Sequence, residues 1–377
     1  LATNKFNLTR CDAYSFNDHR ESRIVFESNN VISKCIAKIR ETVQQLAAAA
    51  TNMISLTSEE DAALKNLDTF LSQNLYDTTA ARPVYTNDTT FSLIHKLVTR
   101  MPDQFMILDV FRLFVLNSKI LPVLLSPKHV YIVDDLLNYA RDHYATTMNL
   151  NSKLMFNRLL CNVCADVNGR AYLSSTDEKR SIVASVIGRG LILRGDNDKS
   201  VAGVRVTAAA LALNMRFDIH RATVCFEGGT PTSSSSSSST TGNTSHTGSN
   251  HGGGGSSNDD SNNSDNSDDN NNNSSSKPTF ELNSDTRKLV TAIMLALKTP
   301  QPFFAEDIVT RLAITLYSLM KQDDLILSYV SSRNDFRIEG LLESAIAAQS
   351  ETLAVALKSM LALPALQVTS GSLLLDE

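Results

Sequence analysis

The sequence predicts an all-α protein, a solenoid of stacked helical repeats interrupted by one long low-complexity surface insert. Three observations carry that expectation. Leu and Ala are abundant and Trp is absent, a composition that favours helix over sheet. Four stretches are apolar almost all round and would form fully buried helices: FMILDVFRLFVLN (105–117), LMFNRLLCNVCA (154–165), VRVTAAALALNM (204–215) and IVTRLAITLYSLM (308–320). Their spacing is nearly constant. Arg112 to Asn162 is 50 residues and Asn162 to Asn214 is 52, while Asn214 to Arg311 is 97, of which 49 belong to the insert. One buried helix roughly every fifty residues is the signature of a repeat architecture.

Each buried helix also carries polar side chains. Asp109 and Arg112 stand three apart in the first and therefore share a face. The second holds Asn157, Arg158 and Asn162, the third Arg205 and Asn214, the fourth Arg311 and Thr315. A buried arginine is costly unless it is paired or borders a groove.

In chain order, residues 1–28 read as a polar, extended lead-in with one apolar island at Ile24, Val25 and Phe26. Ile32, Ile36, Ile39, Val43 and Leu46 keep helical steps. Thr57 to Glu60 has the form of a capping box, and the helix behind it gathers Ala63, Leu64, Leu67, Phe70 and Leu71 on one face. A loop over 74–90 leads to a short helix, 91–100, closed by Met101 and Pro102. Pro102 and Asp103 then suit the first turn of the central helix. A connector with Pro122 and Pro127 spans 117–128, and a helix follows over 130–148. The second buried helix is expected to stop at Asn168–Gly169. Ser175 to Glu178 forms another box, opening a helix to about Gly188. After the third buried helix, residues 228–276 hold seven consecutive serines, a glycine run and Asn/Asp tracts. Such a tract buries too little apolar surface to fold. Further helices are expected at 284–298, 304–321, 323–331, 336–348 and 350–363, with a frayed tail. The domain is thus 29–227 joined to 277–366.

Composition narrows the function classes. The formal net charge is −5, and the insert supplies acidic residues without Lys or Arg. The folded remainder is near neutral, which is not a nucleic-acid footprint. No run approaches the roughly 20 apolar residues of a membrane span. The five cysteines are an odd, scattered set, a reduced intracellular pattern and not a disulfide framework. The first residues are not a signal peptide and include no initiator Met, as expected of a piece of a longer protein.

The motifs in their order resemble the PUL domain, the armadillo-like C-terminal domain of phospholipase-A-activating protein and its fungal ubiquitin-fusion-degradation relatives. Residues 25–30 (VFESNN) are similar to the family's Phe-Asp-x-x-Asn lead-in, and LTSEEDAAL (56–64) to its Leu-Thr-Glu-acidic-acidic helix start. ILDVFRLFV (107–115) resembles Leu-Asp-x-x-Arg-Leu, LLCNVCA (159–165) resembles Cys-Asn-Cys-Phe, and LALNM (211–215) resembles Leu-Ala-Leu-Asn-Tyr. IVTRLAITLYSLM (308–320) resembles Arg-x-x-x-Ala-Leu-Gly-x-Leu. The insert and Tyr317, where the family often has Gly, are departures. The resemblance implies an armadillo-like fold and a non-enzymatic adaptor without cofactors. It would bind the acidic, aromatic-ending C-terminal tail of the ubiquitin-selective AAA ATPase, valosin-containing protein, in the cytoplasm or nucleus. It would reach ubiquitin, proteasomal degradation and ubiquitin recycling only through domains outside this chain.

In a solenoid one helix per repeat lines a concave groove. Arginines there can take carboxylates bidentately, and asparagines offer a donor and an acceptor to an extended backbone. Arg112 and Arg311 are therefore assigned to tail carboxylates and Asn162 and Asn214 to backbone, with Arg158 and Arg205 as further candidates. The competing readings are structural: Arg112 paired with Asp109, Arg311 with Glu306 or Asp307, and the asparagines as satisfied buried amides. Cys161 and Cys164 form a lone CxxC within an apolar helix. Zinc would need a second ligand pair, so core packing is the expectation. Two other functions stand beside the adaptor. One is an armadillo or HEAT-like scaffold for a different peptide; the other is a thiol hydrolase using Cys161 and His143.

Overall fold

The computed structural model describes residues 24–26, 31–48, 54–73, 87–195, 199–216, 222–225, 279–299 and 306–363. The insert, most of the lead-in and the tail after Leu363 lie outside the described residues, so the expectations for them are not addressed. The chain divides into two units, Leu1–Thr223 with Leu282–Glu377, and Val224–Glu281. The first is all helical in its described parts, apart from short strand ends.

Its helices are α1 (Ile32–Ala48), α2 (Ser58–Gln73), α3 (Asp88–Arg100), α4 (Phe105–Phe114), α5 (Ile120–Leu124), α6 (Tyr131–His143), α7 (Leu150–Ala165), α8 (Val167–Leu173), α9 (Asp177–Leu191), α10 (Lys199–Met215), α11 (Ser284–Lys298), α12 (Glu306–Gln322), α13 (Asp324–Ser331), α14 (Ile338–Ala347) and α15 (Glu351–Leu361). They stack in two rows. In the inner row α1 packs on α4, α4 on α7, α7 on α10, α10 on α12 and α12 on α15. In the outer row α3 meets α6, α6 meets α9, and α9 meets α11. Each repeat thus touches mainly its neighbours, the defining property of a solenoid.

Burial follows the apolar pattern. On α1 it covers Ile32, Cys35, Ile36, Ile39 and Val43, and on α2 Ala63, Leu64, Leu67, Phe70 and Leu71. The α2 capping box is made: Glu60 N–H donates to Thr57 Oγ1 at 3.2 Å and Thr57 N–H to Glu60 Oε2 at 2.8 Å. Every α4 residue after Phe105 is buried, Asp109 and Arg112 included. On α10 the run Thr207–Met215 is buried throughout. Its alanines keep side chains short where three helices, α7, α9 and α12, pack against it.

Several boundaries differ from expectation. The connector at 117–128 contains a short helix, α5, because Pro122 falls in its first turn, where a missing N–H costs nothing. Helix α3 starts at Asp88, since the Asn87 side chain accepts from Thr90 N–H. Pro102 and Asp103 precede α4 instead of opening it; Asp103 Oδ1 accepts from Asn149 N–H. Helix α6 ends at His143. Helix α7 ends at Ala165, and the next residue, Asp166, caps α8 directly, so Asn168–Gly169 is not a stop. Gly169 is small for another reason: a Cβ there would lie 1.9 Å from Val163 O. The α9 cap is Thr176, not Ser175, with its hydroxyl accepting from Lys179 N–H. Finally, two short strands, β1 (Ala222–Cys225) and β2 (Thr279–Leu282), pair with each other beside the insert. They add a ribbon that the helical periodicity gives no sign of.

Candidate functional site: a strapped row of asparagines and arginines

Four polar residues of the inner row, Arg112, Arg158, Asn162 and Asn214, converge on a stretch of the chain itself. Residues Ile24, Val25 and Phe26 run across α4, α7 and α10 as a strap. Asn214 of α10 accepts from Ile24 N–H at 3.1 Å and donates through Nδ2 to Ile24 O at 2.9 Å. Asn162 of α7 does the same for Phe26, at 2.7 Å and 2.9 Å. Bonding at alternate residues to one side is the pattern of an extended chain.

The same amides also tie successive helices. Asn162 Nδ2 donates to Arg112 O at 2.7 Å, a carbonyl in the last turn of α4, where helix carbonyls run out of intrahelical donors. Asn214 Nδ2 approaches Cys161 O at 3.4 Å. One carboxamide therefore serves strap and stack together, which only a group with both polarities can do.

Arg112 is buried, and its guanidinium is divided. Nε donates to Asp109 Oδ1 at 2.5 Å, and Nη1 donates to Phe26 O at 2.6 Å. Asp109 is steadied from the other side by the Cys35 thiol at 3.4 Å. That carboxylate and burial together push the Cys35 thiol up to about 12, burial being the larger cause.

Arg158 sits differently. Its guanidinium lies over the Phe26 ring, 5.3 Å from the centroid, and its Nη1 makes only a weak 3.8 Å contact with Met155 Sδ. Its Nε is buried without a hydrogen-bond partner, and it forms no ion pair among the described residues. Burial and then the neighbouring Arg112 charge lower its pKa, but a guanidinium remains cationic at any physiological pH.

Arg311 is half-buried on α12 and close enough to Cys161 for its charge to act on that thiol; the side chains of Glu306 and Asp307 lie outside the described residues. Arg205 donates through Nε to Leu193 O at 2.9 Å, beyond the end of α9. Asn157 is a satisfied core amide, bonded to Tyr144 Oη at 3.1 Å and Thr207 Oγ1 at 3.2 Å.

Cys161 and Cys164 are fully buried. Burial raises the Cys161 thiol well above its ordinary value, which suppresses the nucleophilic thiolate. His143 bonds Thr147 Oγ1 at 2.9 Å, while the Cys161 thiol faces Thr207 O at 3.8 Å. The two are not brought together as a pair. Among the described residues no cluster of His, Cys, Asp or Glu could hold a metal ion, and no helix is long and apolar enough to cross a membrane.

The partner of the asparagines was not foreseen. The sequence marks Ile24, Val25 and Phe26 as an apolar island in a polar lead-in, and Val25 and Phe26 as the start of a stretch similar to the family's lead-in motif; neither names the asparagines as its partners.

Stacked helices whose inner row grips an extended backbone define a protein-interaction scaffold. Over residues 22–244, more than half of the chain, the sequence matches the family model of the PUL domain, and the chain belongs to the PUL domain family. The match begins just before the strap and runs through α10. A search among curated proteins found no match.

Proposed function

We propose that this chain is a non-enzymatic adaptor domain. Its strapped inner face docks the acidic, aromatic-ending C-terminal tail of valosin-containing protein, linking that AAA ATPase to ubiquitin-dependent degradation and ubiquitin recycling. The observation that supports this reading most is the hold of Asn162 and Asn214 on the backbone of residues 24–26. A face that binds extended polypeptide through main-chain groups, with arginines alongside, suits an acidic tail. In this reading Arg311 and Arg158 take tail carboxylates, Arg112 fixes the wall beside them, and Arg205 contributes positive field from α10.

The test is a calorimetric titration of a ten-residue tail peptide into the wild-type chain, Arg112→Ala and Arg311→Ala, with helicity checked for each. Loss of the Arg311 contact with a tail carboxylate costs about 2–5 kcal/mol, enough to abolish a micromolar complex, and loss of Arg112 loosens the wall by freeing Phe26 O. Tight binding by all three would move the docking site elsewhere. No binding by the wild type would leave a helical scaffold for a different peptide.

A further inference from the structure

We propose that the incoming peptide docks by adding a strand to the chain's own residue Val25, with Arg158 receiving one of its carboxylates. This rests on the preceding reading of the face as an acidic-peptide site. It deepens that reading by making the strap itself half of the site.

Two observations carry it. The first is the parity of the strap. Ile24 and Phe26 turn their N–H and C=O groups to Asn214 and Asn162. In an extended chain the residue between them presents its N–H and C=O to the opposite side. Val25 is half-buried, and its backbone groups make no hydrogen bond among the described residues. An edge with an unpaired donor and acceptor is what strand addition uses. The second is Arg158. It is half-buried and held over the ring of Phe26, the residue next to Val25, with a buried Nε that has no hydrogen-bond partner and with no ion pair among the described residues. An extended peptide that pairs with Val25 and carries acidic side chains would satisfy both at once.

Expulsion of the strap is the costlier route. It would strip Phe26 O from Arg112 and Asn162 and leave both asparagine amides short of partners in a buried setting. Unpaired buried polar groups of that kind oppose binding before any new contact forms.

The test uses the full chain and the ten-residue acidic tail peptide as probe. A series of peptides, each with a single backbone N-methyl group, is titrated into the wild type. Strand addition to Val25 predicts a loss of about tenfold confined to the one peptide position whose N–H pairs with Val25 O; equal tolerance at every position overturns it. In parallel, Arg158→Gln is titrated with the parent peptide and with peptides in which single carboxylates are changed to amides. We expect about tenfold weaker binding by the variant at unchanged melting temperature, and one amide substitution that weakens the wild type but not the variant. Binding by folded Arg158→Gln equal to wild type overturns the arginine's role. Because the N-methyl series uses wild-type protein, it decides the strand pairing even if the variant misfolds. If the wild type does not bind the parent peptide, the docking reading fails and this inference with it. If it binds without N-methyl position dependence or arginine dependence, only this inference fails.

Discussion

Asn162 does work that neither a charge nor a hydroxyl could do at its position. Its oxygen accepts from Phe26 N–H while its nitrogen donates to two carbonyls, Phe26 O and Arg112 O. Asn162→Ala leaves those groups without partners and is expected to destabilise the fold by about 1–3 kcal/mol. Asn162→Asp should be worse, because an acceptor would then face two carbonyls; urea unfolding midpoints of the three proteins check the order. A second residue sets a pH dependence. His129 is buried and stacked on Phe91, with ring centroids 4.3 Å apart. Burial lowers its pKa from 6.5, outweighing the opposing pull of Asp88. Above about pH 6.5 the ring is neutral both folded and unfolded, and its contribution is complete. As pH falls from there toward the depressed folded value, the unfolded chain takes up the proton first, so stability declines. Unfolding midpoints at pH 7.5 and 5.5 should therefore differ less in His129→Gln than in wild type.

At the scale of elements, close helix approach is the exposed weakness. A Cβ at Gly190 would lie 2.8 Å from the Ala208 Cβ and 3.0 Å from Tyr144 Oη. Gly190→Ala should cost about 1–3 kcal/mol by overpacking α9 against α10, and adding Ala208→Gly should recover part of the loss in thermal melts. Helix existence was legible because burial of a wide face imposes its period on the residues, as Ile32, Ile36, Ile39 and Val43 show. Ends were less legible, since they depend on which of two adjacent oxygens caps. Thr176 rather than Ser175 does so for α9, and Asp166 restarts the chain where a stop was expected. The polar row on α4, α7 and α10 was visible from spacing alone. That its extended partner is Ile24 and Phe26 was not, because pairing across 136 and 190 residues leaves no local periodicity.

For the whole molecule, the repeat spacing resumes after the insert, and β1 and β2 pair beside it. Replacing residues 228–276 with a short Asn-Gly turn should therefore leave helicity and tail-peptide affinity unchanged, as circular dichroism and calorimetry would show; loss of either would make the insert part of the fold. The strap has a larger reach. Contacts between neighbouring repeats let a solenoid assemble piecemeal from either end, but the strap bonds to partners 86, 136 and 190 residues away. During synthesis it leaves the ribosome long before Asn214 does. At about 5–20 residues per second, residue 24 waits roughly 10 to 40 s for the last of its partners. For that interval the early repeats exist without the thread that later joins them, and closing it is the step that turns a growing stack into a single cooperative body.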